Sequence, residues 1–348
     1  MEKTMRAVTY LQPDVLELQH IPIPHPRPGE ALVKVKAALT CGTDVKTFKR
    51  GHPKFPPPFV FGHEFGGDIV AVGEGITRFQ PGMRVTATVN AECGECFYCR
   101  KGQGNLCENL EYNFGAFAEY VIVPASIVRK NLFEIPAHVS YAEAAVVEPF
   151  VTVVHGQGLV KVQPGEIVAI IGAGGPIGIL HAQMALLAGA AKVIAIDRSD
   201  IRLEVLKQFG SIFPVNPQKM DALSAVHQET DGYGADVVIE CAGTKATWEQ
   251  SVDLVRKGGR VLWFGGLPGG TKVELDAACL HYGEIKLFNI HGGTAEDAQK
   301  AFELITSEKI NTHCLLSGEV ALEEVEGALQ KMIAGEVIKM VVNPQINS

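Results

Sequence analysis

The sequence predicts an α/β protein in two parts, a small β barrel and a doubly wound parallel sheet, and two changes of rhythm along the chain predict it. From Met5 to about Pro124, short β-prone runs are separated by Gly and Pro: "MRAVTYL", "ALVKVKAAL", "GGDIVAVGEG", "RVTATV" and "AEYVIVP". From about Val154, strands expected at 167–171, 192–196, 235–240, 259–264 and 285–290 alternate with helices, the pattern of a parallel sheet. After Ile290 helices return, clearest in "LEEVEGALQKMIAG", where Leu322, Val325, Leu329 and Met332 share one face as core. The expected divisions are 1–153, 154–290 and 291–348, with the boundary at a short connection near Val153 and no internal repeat or long linker.

Composition narrows the partner. The chain has 348 residues, 47% of them hydrophobic, enough for two sizeable cores. Its 39 acidic and 31 basic residues leave a formal charge of -8, and no long basic run points to nucleic acid or a membrane surface. A small-molecule partner is expected. The opening "MEKTMRAVTYLQPD" lacks a secretory pattern, so a cytoplasmic, reducing compartment is expected, where clustered cysteines serve metals or redox chemistry more often than disulfides. Ile167 to Ala191 carries no Lys, Arg, Asp or Glu and is long enough to mimic a membrane span. Gly172, Gly174, Gly175 and Gly178 with Pro176 instead divide it into a buried strand, a turn and a helix.

Within "AECGECFYCRKGQGNLCENL", in the 90–110 lobe, Cys93, Cys96, Cys99 and Cys107 follow the spacing Cys-x2-Cys-x2-Cys-x7-Cys. Four thiolates brought together by a polar loop make a tetrahedral cage for structural zinc, and a loop too small to bury a core needs such a metal to hold its shape. A bacterial ferredoxin motif would place its fourth cysteine after three residues, followed by Pro; here Cys107 comes after seven and precedes Glu108. Two disulfides are the other alternative.

A second ligand set is scattered along the barrel: Cys41 in "LTCGTD", His63 and Glu64 in "FGHEFGG", and Glu148 in "VVEPF". Singly, each is an ordinary buried thiol or surface polar group. Together they supply mixed ligands to one open zinc site that can bind an alcohol oxygen and lower its pKa. Thr43 has a hydroxyl suited to passing the alcohol proton outward, and Asp44 can accept the second ring N–H of His63. Both are also ordinary helix N-cap residues.

"IVAIIGAGGPIG" followed by "KVIAIDRS" places a strand, a glycine loop, a helix, a second strand and Asp197 in the order of a dinucleotide site. The helix N-terminus suits a pyrophosphate, and Asp197 suits the ribose hydroxyls of NAD while repelling the 2'-phosphate of NADP. Gly172, Gly174 and Gly178 give G-x-G-x-x-x-G, one residue longer than the usual fingerprint, with Gly175 as the candidate for the extra residue.

Taken in order, "CGTD", "GHE", the four-cysteine lobe, "VEP", the glycine loop and "IECAG" cover nearly the whole chain, which resembles the zinc-dependent medium-chain dehydrogenases of the sorbitol (iditol) and threonine 3-dehydrogenase branch. The resemblance implies a GroES-like catalytic domain completed by the C-terminal segment, an inserted Rossmann domain, one structural and one catalytic zinc, and a tetramer or dimer. It implies Cys41, His63 and Glu64 as catalytic ligands, with Glu148 on the zinc water or exchanging as a ligand. Ile177, Asp197 and Arg202 match cofactor contacts, and Thr152 matches a residue near the nicotinamide. The alcohol dehydrogenase branch has a Cys near Glu148, and this chain has none between Cys107 and Cys241, which points to the polyol and threonine branch. Lys46 stands where many relatives have a proton-relay His. Cys241, Cys279 and Cys314 are expected as buried thiols.

The expected activity is reversible oxidation of a secondary alcohol, of polyol type, with hydride passing to NAD. L-threonine and polyol phosphates are alternative substrates, the phosphate because Lys46 and Arg50 fall on one helix face at i, i+4. A zinc-free quinone reductase would lack the ligand set, and a nucleotide-sensing protein on the same fold is the rival outside catalysis.

Overall fold

The computed structural model describes residues 3–52 and 54–347. The chain divides into two compact units, Met1–Val151 with Gly293–Ser348, and Thr152–Gly292.

In the first unit the strand Ala31–Leu39 is the organiser. It pairs antiparallel with Glu64–Val72 on one side and with Lys339–Val342 on the other, while Tyr120–Val123 pairs with its first half. Alternating apolar residues along it bury Val33 and Val35 completely, as expected of a strand with a packed inner face. Leu39 lies opposite both Glu64 and Val341, so this register brings residues from three distant stretches to one end of the strand. Among the described residues the sheet has seven strands, extended by Arg84–Ala87 and Leu132–Glu134 at one edge and Leu316–Val320 at the other. Phe48, Phe61, Phe65, Phe117, Val33 and Leu329 belong to one core, so the C-terminal helix Val325–Ala334 shares the barrel's interior. Leu322, Val325, Leu329 and Met332 are all buried there.

In the second unit six parallel strands run in the order Ile212–Val215, Lys192–Ile196, Ile167–Ile171, Ala235–Glu240, Val255–Trp263 and Lys286–Asn289. The chain proceeds outward in one direction from Ile167–Ile171 and then in the other from Ala235–Glu240, which creates the crevice where doubly wound sheets bind ligands. Ile212–Val215 was absent from the expected strands because four residues containing Pro214 give almost no periodic signal; an edge position tolerates the proline. The strand expected at 259–264 begins earlier, at Val255. The uncharged Ile167–Ala191 stretch forms the strand Ile167–Ile171 and the helix Pro176–Leu187, and no helix among the described residues is long and apolar enough to cross a membrane.

Candidate metal and cofactor sites

The cysteine lobe closes on itself. Sulfur atoms lie 3.5 Å apart for Cys96 and Cys99, 3.8 Å for Cys96 and Cys107, 3.5 Å for Cys107 and Cys93, and 3.9 Å for Cys93 and Cys99. A tetrahedron of Zn–S bonds near ~2.3 Å has S···S edges of about 3.8 Å, so the cage fits zinc. A disulfide would need sulfurs about 2.05 Å apart, and all four cysteines are free. A four-iron cluster would separate its thiolates onto different irons. Backbone amides of Glu95 and Cys96 hold the Cys93 thiol down to about 6 and those of Cys99 and Glu108 lower Cys96, while burial pushes Cys99 up to about 12 and raises Cys107. The amides of Cys93 and Asn109 each donate to Cys107 Sγ at 3.3 Å.

The second cluster is assembled from three turns. Cys41 is the N-cap of the helix Gly42–Arg50, and Asp44, at the third helical position, returns its Oδ2 to the Cys41 amide at 2.9 Å. The cap is therefore Cys41, and neither Thr43 nor Asp44 fills that role. The other oxygen of Asp44 lies 3.0 Å from His63 Nδ1, so one buried carboxylate orients two of the candidate ligands. Burial opposes charge on the His63 ring, but Asp44 and Cys41 outweigh it and hold its pKa well above the ordinary value. Gly62, just before His63, has φ +82°, and a Cβ there would meet the Phe117 ring at 2.7 Å and its amide at 2.9 Å. Only glycine turns the chain closely enough to deliver His63.

Cys41, His63 and Glu64 bring one ligand atom each within 4.8 Å of one another. A thiol, an imidazole and a carboxylate at that separation fit a zinc ion with an open position. Glu148, in the first turn of the helix Val147–Val160, has its Oε2 3.9 Å from His63 Nε2. Burial raises its carboxyl to about 7, against the pull of His63, and the charge of Glu64 adds to the rise. Thr43 is exposed beside the cluster, its amide 3.5 Å from Cys41 Sγ.

Sequence reasoning missed Lys339. It is fully buried, and its Nζ donates to Glu64 Oε1 at 2.8 Å, to Glu64 Oε2 at 2.6 Å and to the Thr40 carbonyl at 2.8 Å. Burial works against the ammonium, but the carboxylate of Glu64 outweighs it and raises the lysine's pKa. Both oxygens of Glu64 thus accept from a cation of the chain's own, and each keeps a further lone pair for a metal. The only available signal was a lysine inside the apolar run "VIKMVV", where an unpartnered charge would be costly.

In the second unit the glycine loop forms a tight turn, with Gly172 at φ +77° and the Gly175 amide 3.2 Å from the Gly172 carbonyl. Gly175 is the N-cap of the helix Pro176–Leu187, so the extra glycine sits at the turn's exit and Pro176 opens the helix. Gly178 packs the helix onto the loop, since a Cβ there would lie 2.4 Å from the Gly172 carbonyl oxygen. Asp197 Oδ2 accepts the Gly174 amide at 2.9 Å and Oδ1 accepts the Ser199 amide at 3.0 Å, which ties the acidic residue to the loop. Arg202 lies next to Gly174, its Cβ 2.6 Å from where a Gly174 Cβ would stand. Ile177, half-buried, is in the helix's first turn, and Thr152 lies in the helix Val147–Val160. Cys279, expected to be buried, is exposed instead: it follows the N-cap Asp276 on the outer face of the short helix Ala277–Gly283.

A GroES-like unit carrying a closed four-thiolate lobe and an open thiol, imidazole and carboxylate cluster, in one chain with a doubly wound dinucleotide-type sheet, is the equipment of a zinc dehydrogenase. Residues 27–136 match the family "Alcohol dehydrogenase GroES-like domain" and residues 176–307 match "Zinc-binding dehydrogenase". The chain belongs to this zinc-binding alcohol dehydrogenase family. It is 34% identical to a sorbitol dehydrogenase of Halalkalibacterium halodurans, over 92% of this chain and 94% of that one. It is equally 34% identical to an L-threonine 3-dehydrogenase of Symbiobacterium thermophilum, over 100% of both chains. Among solved structures, a zinc-binding dehydrogenase of Sinorhizobium meliloti bound to NADP superposes with a TM-score of 0.90 at 34% identity, covering 99% of this chain and 100% of that one.

Proposed function

We propose that the protein reversibly oxidises a secondary alcohol of a polyol or polyol-like substrate to a ketone, passing hydride to NAD. The observation that carries this reading is the convergence of Cys41, His63 and Glu64, with Asp44 orienting the first two. Cys41, His63 and Glu64 would hold a zinc ion, which would supply Lewis-acid chemistry to lower the pKa of an alcohol oxygen. The chain's own groups do the rest. Asp44 at Nδ1 leaves His63 Nε2 to face the cluster, the exposed Thr43 hydroxyl carries the alcohol proton outward, and Glu148 stands beside His63 Nε2. Lys339 neutralises Glu64 and keeps the cluster's negative charge low.

The assignment of structural zinc to Cys93, Cys96, Cys99 and Cys107 belongs to the same proposal, as do Gly172, Gly174, Gly175, Ile177, Gly178, Asp197, Arg202 and Thr152 as cofactor contacts. NAD is favoured over NADP because the Asp197 carboxylate is anchored by the Gly174 and Ser199 amides, where it would meet a 2'-phosphate. The likeness to L-threonine 3-dehydrogenases supports threonine as the alternative substrate. Action in the cytoplasm as a homo-tetramer or homo-dimer is part of the reading, and light scattering of the purified enzyme tests the assembly.

The deciding experiment measures reduction of NAD and of NADP across polyols, polyol phosphates, threonine and simple alcohols, with zinc counted per chain. Turnover of a secondary alcohol with NAD and zinc at both sites is the expected result; no turnover with any alcohol by zinc-loaded enzyme would reject the reading.

A further inference from the structure

We propose that the alcohol oxidised here carries an anionic group, a phosphate monoester or a carboxylate, and that Lys46, Arg50 and Lys54 receive it. The proposal rests on the dehydrogenase reading and names its substrate class.

The first observation is where the positive charge lies. The chain is acidic at a formal -8, yet between Asp44 and Glu64 it has no acidic residue, while Lys46, Lys49, Arg50 and Lys54 all fall there. This segment joins two of the metal-ligand turns, Cys41 and His63. A solvated surface face ordinarily mixes both signs of charge, whereas a one-signed run beside a reactive site raises the local concentration of an oppositely charged substrate.

The second observation is that two routes lead from the ligands to those cations. Along the helix that Cys41 caps, Thr43, Lys46 and Arg50 recur at i, i+3 and i+7, and all three are exposed. At 1.5 Å of rise per residue the stripe extends about 10 Å from Thr43 to Arg50. Along the other route, the His63 ring lies 5.6 Å from Phe114, Phe114 lies 4.2 Å from Phe55, and Phe55 lies 4.8 Å from His52 and 5.4 Å from Tyr112. Lys54 ends that aromatic wall: its amide donates to His52 Nδ1 at 3.2 Å, and its Nζ reaches Tyr112 Oη at 2.5 Å and sits 4.8 Å from the ring centre. A carbon chain bearing one oxygen at the metal ligands can pack its C–H faces on Phe114 and Phe55 and present its far end to cations.

The third observation is that the cations differ in engagement. Lys49 is paired with Asp14 at 2.9 Å. Among the described residues, Lys46 and Arg50 have no acidic partner, and the Lys54 ammonium meets the neutral Tyr112 and no carboxylate. Arg50 offers the planar fork that suits carboxylate and phosphate, and the lysines add point charge. Such contacts act remote from the reacting carbon, so they strengthen binding and orientation and leave the chemical step alone.

The test is steady-state kinetics of the zinc-loaded enzyme with neutral polyols, their phosphate monoesters and the matching hydroxy acids, for the parent, Lys46→Ala, Arg50→Ala, Lys54→Ala and Arg50→Lys. The parent is expected to favour an anionic alcohol, with a preference that falls as salt rises. Each alanine variant is expected to lose roughly tenfold in kcat/KM on that substrate, mainly in KM, with neutral polyols changed less than about twofold in Arg50→Ala and Lys54→Ala and Arg50→Lys partly restoring the loss. Preference for the phosphate or for the hydroxy acid identifies the anion. A parent indifferent to charge, equal losses on neutral and anionic alcohols, or a loss confined to the KM of the cofactor would each overturn the proposal; the last would assign the cations to cofactor phosphates. If no alcohol were turned over, failure of the dehydrogenase reading would be separated by calorimetry with inorganic phosphate. Binding weakened by Arg50→Ala and Lys54→Ala supports the anion site, and no binding to the parent rejects it.

Discussion

Replacing Lys339 with Met tests the charge balance beside the candidate metal ligands Cys41, His63 and Glu64. The substitution keeps an unbranched side chain in the strand Lys339–Val342 but removes an ammonium that makes three bonds of 2.6–2.8 Å in a site with no solvent exposure. It strands the Glu64 carboxylate, which is equally buried. Removing one member of a buried ion pair costs about 3–5 kcal/mol, whereas replacing both by neutral groups is often nearly neutral. In a unit of this size each kcal/mol shifts the melting temperature by about 2–4 °C, so Lys339→Met should melt about 6–20 °C below the parent. Glu64→Gln with Lys339→Met should recover most of that loss, a coupling of about 2 kcal/mol or more. The penalty should shrink as pH falls, because a stranded carboxylate escapes its cost by taking a proton. Thermal and urea unfolding of the parent, both single variants and the double variant, with the Cys41, His63 and Glu64 cluster free of metal and at two pH values, measures the cycle. A Lys339→Met protein within about 1 kcal/mol of the parent, or a double variant as unstable as the two singles summed, would refute the reasoning.

Cys99→Ser should yield one zinc fewer per chain and a lobe sensitive to proteolysis, with residual turnover in the fraction that folds; an unchanged zinc count measured by atomic emission would show that the lobe holds no metal. Asp197→Asn keeps an acceptor for the Gly174 amide but removes the charge, so kcat/KM for NADP should rise roughly tenfold or more against NAD; an unchanged ratio would mean the carboxylate does not select the cofactor. His181 is fully buried beside Gln157, and burial depresses its pKa to about 3. Its unfolded value lies near ~6.5, so the contribution is complete above that pH and is lost as pH falls toward 3, at about 1.4 kcal/mol per unit. Between pH 6.5 and 5 the parent should lose about 2 kcal/mol more than His181→Gln in urea unfolding, and parallel pH profiles would rule out a neutral buried ring.

What was legible in the sequence is what short stretches decide alone. The Cys93 to Cys107 spacing is readable because four thiols within one loop meet by local closure, and the strand, glycine turn and helix from Ile167 to Leu187 are readable because each change of conformation carries its own signal in β-branched residues, Gly and Pro. Ile212–Val215, four residues long with a proline, was too short for such a signal. The contact of Asp44 with His63 was one of two sequence readings between which tertiary structure decided, and the ammonium of Lys339 on Glu64 was decided by tertiary structure alone. Asp44 had an equally good local explanation as a cap, and Lys339 lies far along the chain from Glu64, so no spacing rule links them. They meet because the strand Ala31–Leu39 takes Glu64–Val72 on one edge and Lys339–Val342 on the other, with Leu39 opposite Glu64 and Val341. Register between distant strands is set by how the whole core packs, and that is why the charge beside the candidate metal ligands had to be found in three dimensions.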